Sequence, residues 1–561
     1  MTVVRRVLMI ALLSLAATAL FAQTAPAQRT TEAVTAETDA DVNDPRAMRL
    51  SLDEAIRTSM ERNLGIQLQK YEYAMAGETL RASYGVFDWL GRGSVSRVSS
   101  ESPTISTFQA SGSRSTALNF GIAQFLPTGG SYDVGFSNSR ISQSGGGTTV
   151  NPAYRSGLEL AFNQPLLRNF GVDVNRRGIT IARNTLGVNR ETFRLQLMNT
   201  AYDVTQAYLD LVYARRAVDV VKESLFLARD QSRITQIRID VGASAPLDIL
   251  QPRVRTATVE EELIRSVAAV RDAEDRLRAL LNLAATEWDK PILPTDPVEF
   301  SPVPIDTEAA VVRAYEQRPE PRQQKLFTAS ARTEYLYARN QRLPELNFGL
   351  GYDVAGLAGR SPELDPVTNI PTGRFNSTTY PDAVQQLFDN EFPSWNVGLS
   401  VSVPITNIGA RAQARRAELD LEQSELSLDQ VKQNIAVQVR ATARAVDTAA
   451  RAIVATRASR DAAERNLEAE RRRFENGMTT NFQVLEVQQQ LSDARVRELQ
   501  ALVEYNQAVT AFQRATGDIL QVRNITDEEP VKVEEPDMLT RFDRYNWLNY
   551  GSRLKDEEKQ K

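Results

Sequence analysis

From Val172 to Val241 the chain contains no proline, and from Ala410 to Asn476 it contains neither proline nor glycine. Without a helix breaker each stretch can run as one helix, and at 1.5 Å per residue each would reach ~100 Å. Helices in globular proteins average roughly three to four turns, so an ordinary compact domain cannot hold these two. In the first stretch Val204, Leu211, Val218 and Leu225 recur every seven residues, with Ala207, Ala214, Val221 and Ala228 three positions on. That is an a/d seam over four heptads, and alanine at its second position lets helices approach closely. Such a stripe is packing surface, not a ligand site. Each stretch ends at a glycine, Gly242 or Gly477, and a second helical pattern follows, Leu247 to Leu283 and Phe482 to Thr516.

The hairpin occurs twice because the chain repeats itself, a signature to be sought before any other. Ala55-Ile56 through Glu61 to Gln69-Lys70 matches Ala310-Val311 through Glu316 to Gln324-Lys325. Arg238-Ile-Asp-Val-Gly242 followed by Leu250 matches Arg473-Phe-Glu-Asn-Gly477 followed by Leu485, and Pro165 to Gly171 echoes Pro404 to Gly409. The halves, 50–283 and 306–517, meet at a linker, 284–305, whose Pro291, Pro294, Pro297, Pro302 and Pro304 cannot continue a helix.

Between the helical parts lie segments of strict period two. Leu346, Phe348, Leu350, Tyr352 and Val354 alternate with Asn347, Gly349, Gly351 and Asp353, and Trp395 to Val403 alternate in the same way. The first half carries Leu118, Phe120 and Ile122, then Tyr132, Val134 and Phe136, then Leu158, Leu160 and Phe162, with a weaker candidate at 90–98. A soluble sheet would alternate too, but Gly, Ser, Asn and Asp on the second face suit a watery lumen, and strands of about ten residues fit a bilayer. Four to six strands cannot close a membrane barrel alone, since the smallest have about eight, so a barrel must be shared between protomers.

The first 22 residues, with Arg5, Arg6 and an apolar run from Val7 to Phe21, read as a secretory signal peptide with cleavage as late as Ala27, and 23–49 as a flexible leader. Cleavage takes the net charge from −5 to −7, which argues against nucleic-acid binding. The chain has no cysteine and no histidine, which removes disulfides, the commonest zinc ligands and any Ser-His-Asp triad. No nucleotide-binding loop, G-x-S-x-G or H-E-x-x-H motif occurs. Neither a cofactor nor a metal is expected, and the chain does not read as an enzyme.

Signal peptide, duplicated halves, helix pairs ending at a glycine and paired strands together resemble the TolC family of outer-membrane efflux channels, over about residues 50–520. The motifs carrying the resemblance are Leu50-Ser-Leu-Asp-Glu-Ala55, Asn163-Gln-Pro-Leu166, Gly242 with Leu247-Asp-Ile-Leu-Gln251, and Gly477 with Phe482-Gln-Val-Leu-Glu486. The resemblance implies an α+β membrane protein: a homotrimeric transmembrane β-barrel of twelve strands, four per protomer, continued by a periplasmic α-helical coiled-coil barrel. It further implies an exit channel across outer membrane and periplasm, embedded in outer-membrane lipid and gated at its periplasmic tip. Its partners would be a periplasmic adaptor (membrane fusion protein) and an inner-membrane pump, in a tripartite efflux or type I secretion system.

By position, the family's constriction falls on Gln483 and Glu486, with Asp248 and Gln251 in the first half. Glu486 would supply three carboxylates around the axis. The tips near Gly242 and Gly477 would form the periplasmic entrance and meet the adaptor. The resemblance also implies a closed-state lock between a tyrosine, an arginine and the first-half aspartate; those positions hold Phe474, Thr479 and Asp248. Arg238 and Arg473 are either alternative partners for Asp248 or Glu475, or solvated charges near a helix end. A second departure is the pair of segments 116–126 and 131–141, joined by Pro127-Thr-Gly-Gly130, which has no counterpart in the second half. Two added strands preserve the chain's direction, so the hairpin either joins the barrel, which gives six strands per protomer and eighteen in the trimer with 99–115 and 142–154 as external loops, or lies outside it and leaves twelve.

Two other readings compete. A periplasmic adaptor or helical scaffold would share the signal peptide and a hairpin, but needs neither the strands nor a second hairpin. A secreted carboxylate-dependent enzyme would place its acids in a segment such as Ala355 to Pro393, with Glu363, Asp365, Asp382, Asp389 and Glu391 beside Tyr380 and Phe388, though an external loop looks the same. The mixed-charge tail from 518 is expected to be periplasmic and partly disordered.

Overall fold

The computed structural model describes residues 44–105, 109–145, 149–365 and 371–533. The signal peptide, most of the leader and the end of the tail lie outside them. In chain order the elements are β1 (Met48–Leu50), α1 (Leu52–Arg62), α2 (Leu64–Ser83), β2 (Leu90–Glu101), β3 (Gly112–Phe125), β4 (Ser131–Ser144) and β5 (Ala153–Pro165). Next come α3 (Arg177–Asp240), α4 (Leu250–Leu281), β6 (Ile292–Pro294), α5 (Thr307–Gln317) and α6 (Pro319–Asn340). The chain continues through β7 (Glu345–Leu364), β8 (Pro371–Ser377), α7 (Tyr380–Phe388), β9 (Phe392–Ser402), α8 (Ile408–Glu475), α9 (Asn481–Thr516) and α10 (Ile519–Val522). The 64 residues of α3 and the 68 of α8 make helices of ~100 Å each.

The chain divides into two compact units, and α3 and α8 supply residues to both. The first unit holds the helical hairpins. All eight seam residues are buried: Val204, Leu211, Val218 and Leu225, and Ala207, Ala214, Val221 and Ala228. All but Ala228 pack with Val259, Leu263, Val270, Leu277 and Leu281 of α4 in one core. Beside that core Glu274, fully buried, receives Arg215 at 2.6 Å, Arg278 at 3.0 Å and the backbone N–H of Ile292 at 3.0 Å. The carboxylate thus ties both helices of the hairpin to β6.

β6 lies within the expected linker and pairs in parallel with β1, at the end of the expected leader. Proline fits there because β6 is a short edge strand that needs few donors. The tail also begins in an ordered way: Ile519 and Leu520 are buried against Ile66, Phe193, Leu197 and Met198, and Arg194 pairs with Asp527 at 3.2 Å. Apolar burial here overrides the polar composition downstream.

The second unit holds one antiparallel sheet in the order β2-β3-β4-β5-β7-β9, with β8 extending the outer part of β7. The pair 116–126 and 131–141 is therefore part of the sheet, as β3 and β4, between β2 and β5. Their turn closes through Leu126 N–H to Gly130 O at 2.7 Å, and Gly129 takes φ +94° where an added Cβ would lie 2.1 Å from Asn169 O. One end of the strands joins helices, through the start of β2 and β7 and the end of β5 and β9; the opposite end is termed distal.

Register sorts the side chains onto two faces. On one, Leu346, Phe348, Leu350, Tyr352 and Val354 lie beside Leu158, Leu160 and Phe162, and beside Trp395, Val397, Leu399 and Val401. Val134 and Phe136 of β4 and Leu118, Phe120 and Ile122 of β3 extend that apolar band. The other face carries Asn347, Gly349, Gly351, Asp353, Glu159, Asn163, Asp133 and Arg92, with Arg92 and Asp133 in contact.

The segment 355–393, expected as a loop, is largely ordered. β7 runs on past its glycines because β5 pairs with it as far as Gly359 and β8 takes over beyond. Then α7 lies on the apolar face, burying Ala383 and Leu387 so closely over Gly356 that an added Cβ would meet Ala383 O at 1.9 Å. Gln386 of α7 accepts the N–H of Leu357, where β9 has ended. A nine-residue helix carries too few periods to be read from pattern alone.

Candidate functional site: the helical tips

The two long helices end in the same way. At the first tip Ala243 N–H bonds Arg238 O at 2.7 Å and Gly242 N–H bonds Ile239 O at 2.9 Å; at the second Met478 N–H bonds Arg473 O at 2.9 Å and Gly477 N–H bonds Phe474 O at 3.1 Å. Gly242 at φ +75° and Gly477 at φ +70° supply the left-handed residue this C-cap requires. Both glycines are exposed with open space around them, so the backbone angle and not crowding demands glycine.

The turns restart differently. After Gly242, the Asp248 carboxylate accepts the N–H of Ala245 at 3.0 Å and caps a short 3₁₀ turn, Pro246–Ile249, before α4. After Gly477, the chain passes half-buried Thr479 and enters α9 behind the N-cap Thr480. On α9 one face is buried, with Val484, Leu485, Val487, Gln488 and Leu491. Gln483 and Glu486 lie on the exposed face, where Gln490 donates to Glu486 at 3.4 Å. Asp248 and Gln251 are likewise exposed.

Phe474, where the resemblance implies a tyrosine, makes a contact of its own. Arg238 donates to Phe474 O at 2.9 Å, and its guanidinium carbon sits 4.0 Å from the centre of the Phe474 ring. A cation thus reaches the carbonyl-rich end of α8 and the ring's negative face at once. Arg238 does not pair with Asp248, which is occupied as a cap, nor Arg473 with Glu475: Arg473 reaches the buried Glu470 of the preceding turn at 3.3 Å. Gln231 donates to Asn481 at 2.7 Å, and Arg495 joins Glu223 at 2.7 Å and Glu464 at 3.2 Å, so α3, α8 and α9 are tied at several levels. Burial pulls the Arg495 guanidinium down, and these two carboxylates outweigh it and hold it above its usual value.

The Arg238 contact was not legible beforehand, since it joins residues 236 apart and the repeat pairs Arg238 with Arg473, not with Phe474. Among the described residues no acidic cluster is arranged to hold a metal, and no helix is long and apolar enough to cross a membrane.

Comparison with known proteins gives a consistent answer. Residues 121–283 and 310–518, together more than half of the chain, match the family described as outer membrane efflux protein. The outer membrane efflux protein BepC of Brucella suis biovar 1 (strain 1330) is 23% identical over 397 residues, covering 69% of this chain and 79% of that one. Two similar solved structures are the outer membrane protein VceC of Vibrio cholerae (TM-score 0.59, 13% identity, 83% of this chain and 96% of that one) and the Campylobacter jejuni CmeC outer membrane channel (TM-score 0.58, 14% identity, 91% and 92%).

Proposed function

The chain belongs to the outer membrane efflux protein family, and from that premise we propose that three copies close one pore whose gate is the pair of helical tips. It is an outer-membrane exit channel of efflux systems. The observation that carries the trimeric reading is the sheet with two open edges. Among the described residues β2 and β9 have no outer neighbour; both are exposed along their whole length and run in opposite directions. An exposed long edge is a template for pairing, and opposite directions let β9 of one protomer meet β2 of the next in antiparallel register. Six strands from each of three protomers make eighteen. Since diameter grows about linearly with strand number, the barrel is roughly half again as wide as one of twelve. The apolar face then meets lipid and the Gly, Ser, Asn and Asp face lines water.

Transport is a passive conduit, driven by an inner-membrane pump through a periplasmic adaptor that docks at the tips around Gly242 and Gly477. The two halves act as structural repeats, so that six hairpins surround the axis. Glu486 and Gln483 of α9, with Asp248 and Gln251, line the constriction, and Glu486 favours cations there.

The absence of native cysteine makes the edge pairing directly testable. Ser96→Cys in β2, combined in turn with Ser394→Cys, Asn396→Cys, Gly398→Cys or Ser400→Cys in β9, should yield a disulfide-linked trimer ladder in at least one register. Within a protomer these strands are separated by four others, about 20 Å or more, far beyond the ~7 Å between Cα atoms a disulfide tolerates. A protein that purifies as a soluble monomer, forms no pore in planar bilayers and gives no ladder refutes the reading.

A further inference from the structure

The apolar face of the sheet changes character near its distal end. Above Val95 and Leu118, the next row on that face reads Arg97, Thr116, Arg140 and Tyr154 across β2 to β5, and the row beyond reads Ser99, Arg114 and Ser142. Along β2 to β5 this face carries four charged residues, and three of them are these arginines. The fourth, Glu101, ends β2.

Register fixes their separation. Arg97 and Arg140 flank Thr116 from either side, two strand spacings or ~10 Å apart. Arg114 pairs with Ser99 and Ser142, which makes it the diagonal neighbour of both, ~7–8 Å away and within reach of long side chains. All three are exposed. Arg140 lies 6.0 Å from the centre of the Tyr154 ring, and among the described residues none of the three forms an ion pair with a carboxylate. On the opposite face, by contrast, Arg92 has Asp133.

Directly below Arg140, Asn138 is 5% exposed and accepts from Ser156 at 2.9 Å, while its own Nδ2 has no protein acceptor. Three like charges held together repel one another, with Glu101, diagonal to Arg114 and not ion-paired to it, as the one carboxylate on this face of β2 to β5, and a donor amide without an acceptor adds to the same deficit. Phosphate is the anion that matches planar guanidinium forks, and the apolar band below fits acyl chains.

We propose that Arg97, Arg114 and Arg140 form a headgroup site for a phosphorylated lipid of the outer leaflet, whose chains lie along the apolar band beneath. The hydroxyls of Ser99, Thr116 and Ser142 stand between the cations and supply further donors. α7, packed on the same face over β5 and β7, walls the site on the side away from β2. The proposal rests on the reading that this face meets the membrane.

The test uses the detergent-purified full-length trimer and fluorescent lipid A in two forms, diphosphorylated and fully dephosphorylated, with inorganic phosphate as competitor. The diphosphorylated form should bind preferentially, and more weakly as salt is raised. The triple variant Arg97→Gln, Arg114→Gln, Arg140→Gln should weaken binding on the order of 100-fold at low salt, from about fivefold per surface cation, while Arg155→Gln on the opposite face should leave it unchanged. Equal binding of the two lipids, or an unaffected triple variant, overturns the proposal, and displacement by equimolar inorganic phosphate replaces it with a free-anion site. Bilayer conductance of the same samples separates the layers of argument. Pores of normal conductance in wild type and triple variant, without lipid discrimination, refute the headgroup site alone; a wild type without pores refutes the channel reading beneath it.

Discussion

Replacing Arg238 by methionine keeps an unbranched stem of similar reach and removes both contacts to Phe474. The lost hydrogen bond runs from a charged donor at 2.9 Å and is worth about 1.5 kcal/mol, the low end for a charged group, because Arg238 is half-buried. The guanidinium over the ring at 4.0 Å adds about 1 kcal/mol, between the exposed and desolvated values. Freed side-chain entropy offsets part of this, which leaves about 2 kcal/mol per protomer. If the tie holds the tips of α3 and α8 together in the closed state and release of one protomer's tips is enough to open the gate, that energy multiplies the open-to-closed ratio by roughly 30, at about 1.4 kcal/mol per decade. Single-channel recording in planar bilayers should show open probability rising by about that factor in Arg238→Met, while Phe474→Tyr, which retains ring and carbonyl, stays near wild type. A double-mutant cycle with Phe474→Leu, which keeps the backbone carbonyl and removes only the ring, should return about 1 kcal/mol as coupling. A well-folded Arg238→Met channel that gates like wild type refutes the reasoning.

Glu486→Gln should lower the cation preference of the pore, read as a reversal-potential shift toward zero in a salt gradient; an unchanged potential would remove Glu486 from the constriction. Glu274→Ala leaves Arg215 and Arg278 without their shared carboxylate and should cost about 3–5 kcal/mol, seen as a lowered melting temperature in detergent. Leu211→Ala, at a fully buried seam position, should cost about 2–5 kcal/mol in the same assay. Gly477→Ala forces a side chain into φ +70° and should cost about 1–2 kcal/mol, confined to faster hydrogen exchange at the α8 C-terminus.

The helices and the inner strands were legible because their signals are local. A missing proline, a seven-residue seam and a two-residue alternation each act over neighbouring positions, so the pattern of Val204 to Ala228 is enough to announce burial and that of Leu346 to Val354 a two-faced strand. The glycines at 242 and 477 were readable as ends for the same reason, since a left-handed C-cap needs only its own turn. Burial of apolar side chains from distant elements decided the rest. β7 continues past four glycines because β5 and β8 pair with it, α7 forms because Gly356 leaves room for Ala383, and Ile519 and Leu520 order the start of a polar tail. Tertiary structure also assembled what carries chemistry: Arg238 against Phe474, and three arginines from three strands on one face. Sequence alone states that this chain has long seams and two-faced strands. Only register, a relation between residues far apart in the chain, states which side chains share a face, because a shift of one residue would have turned every arginine of that cluster to the other side.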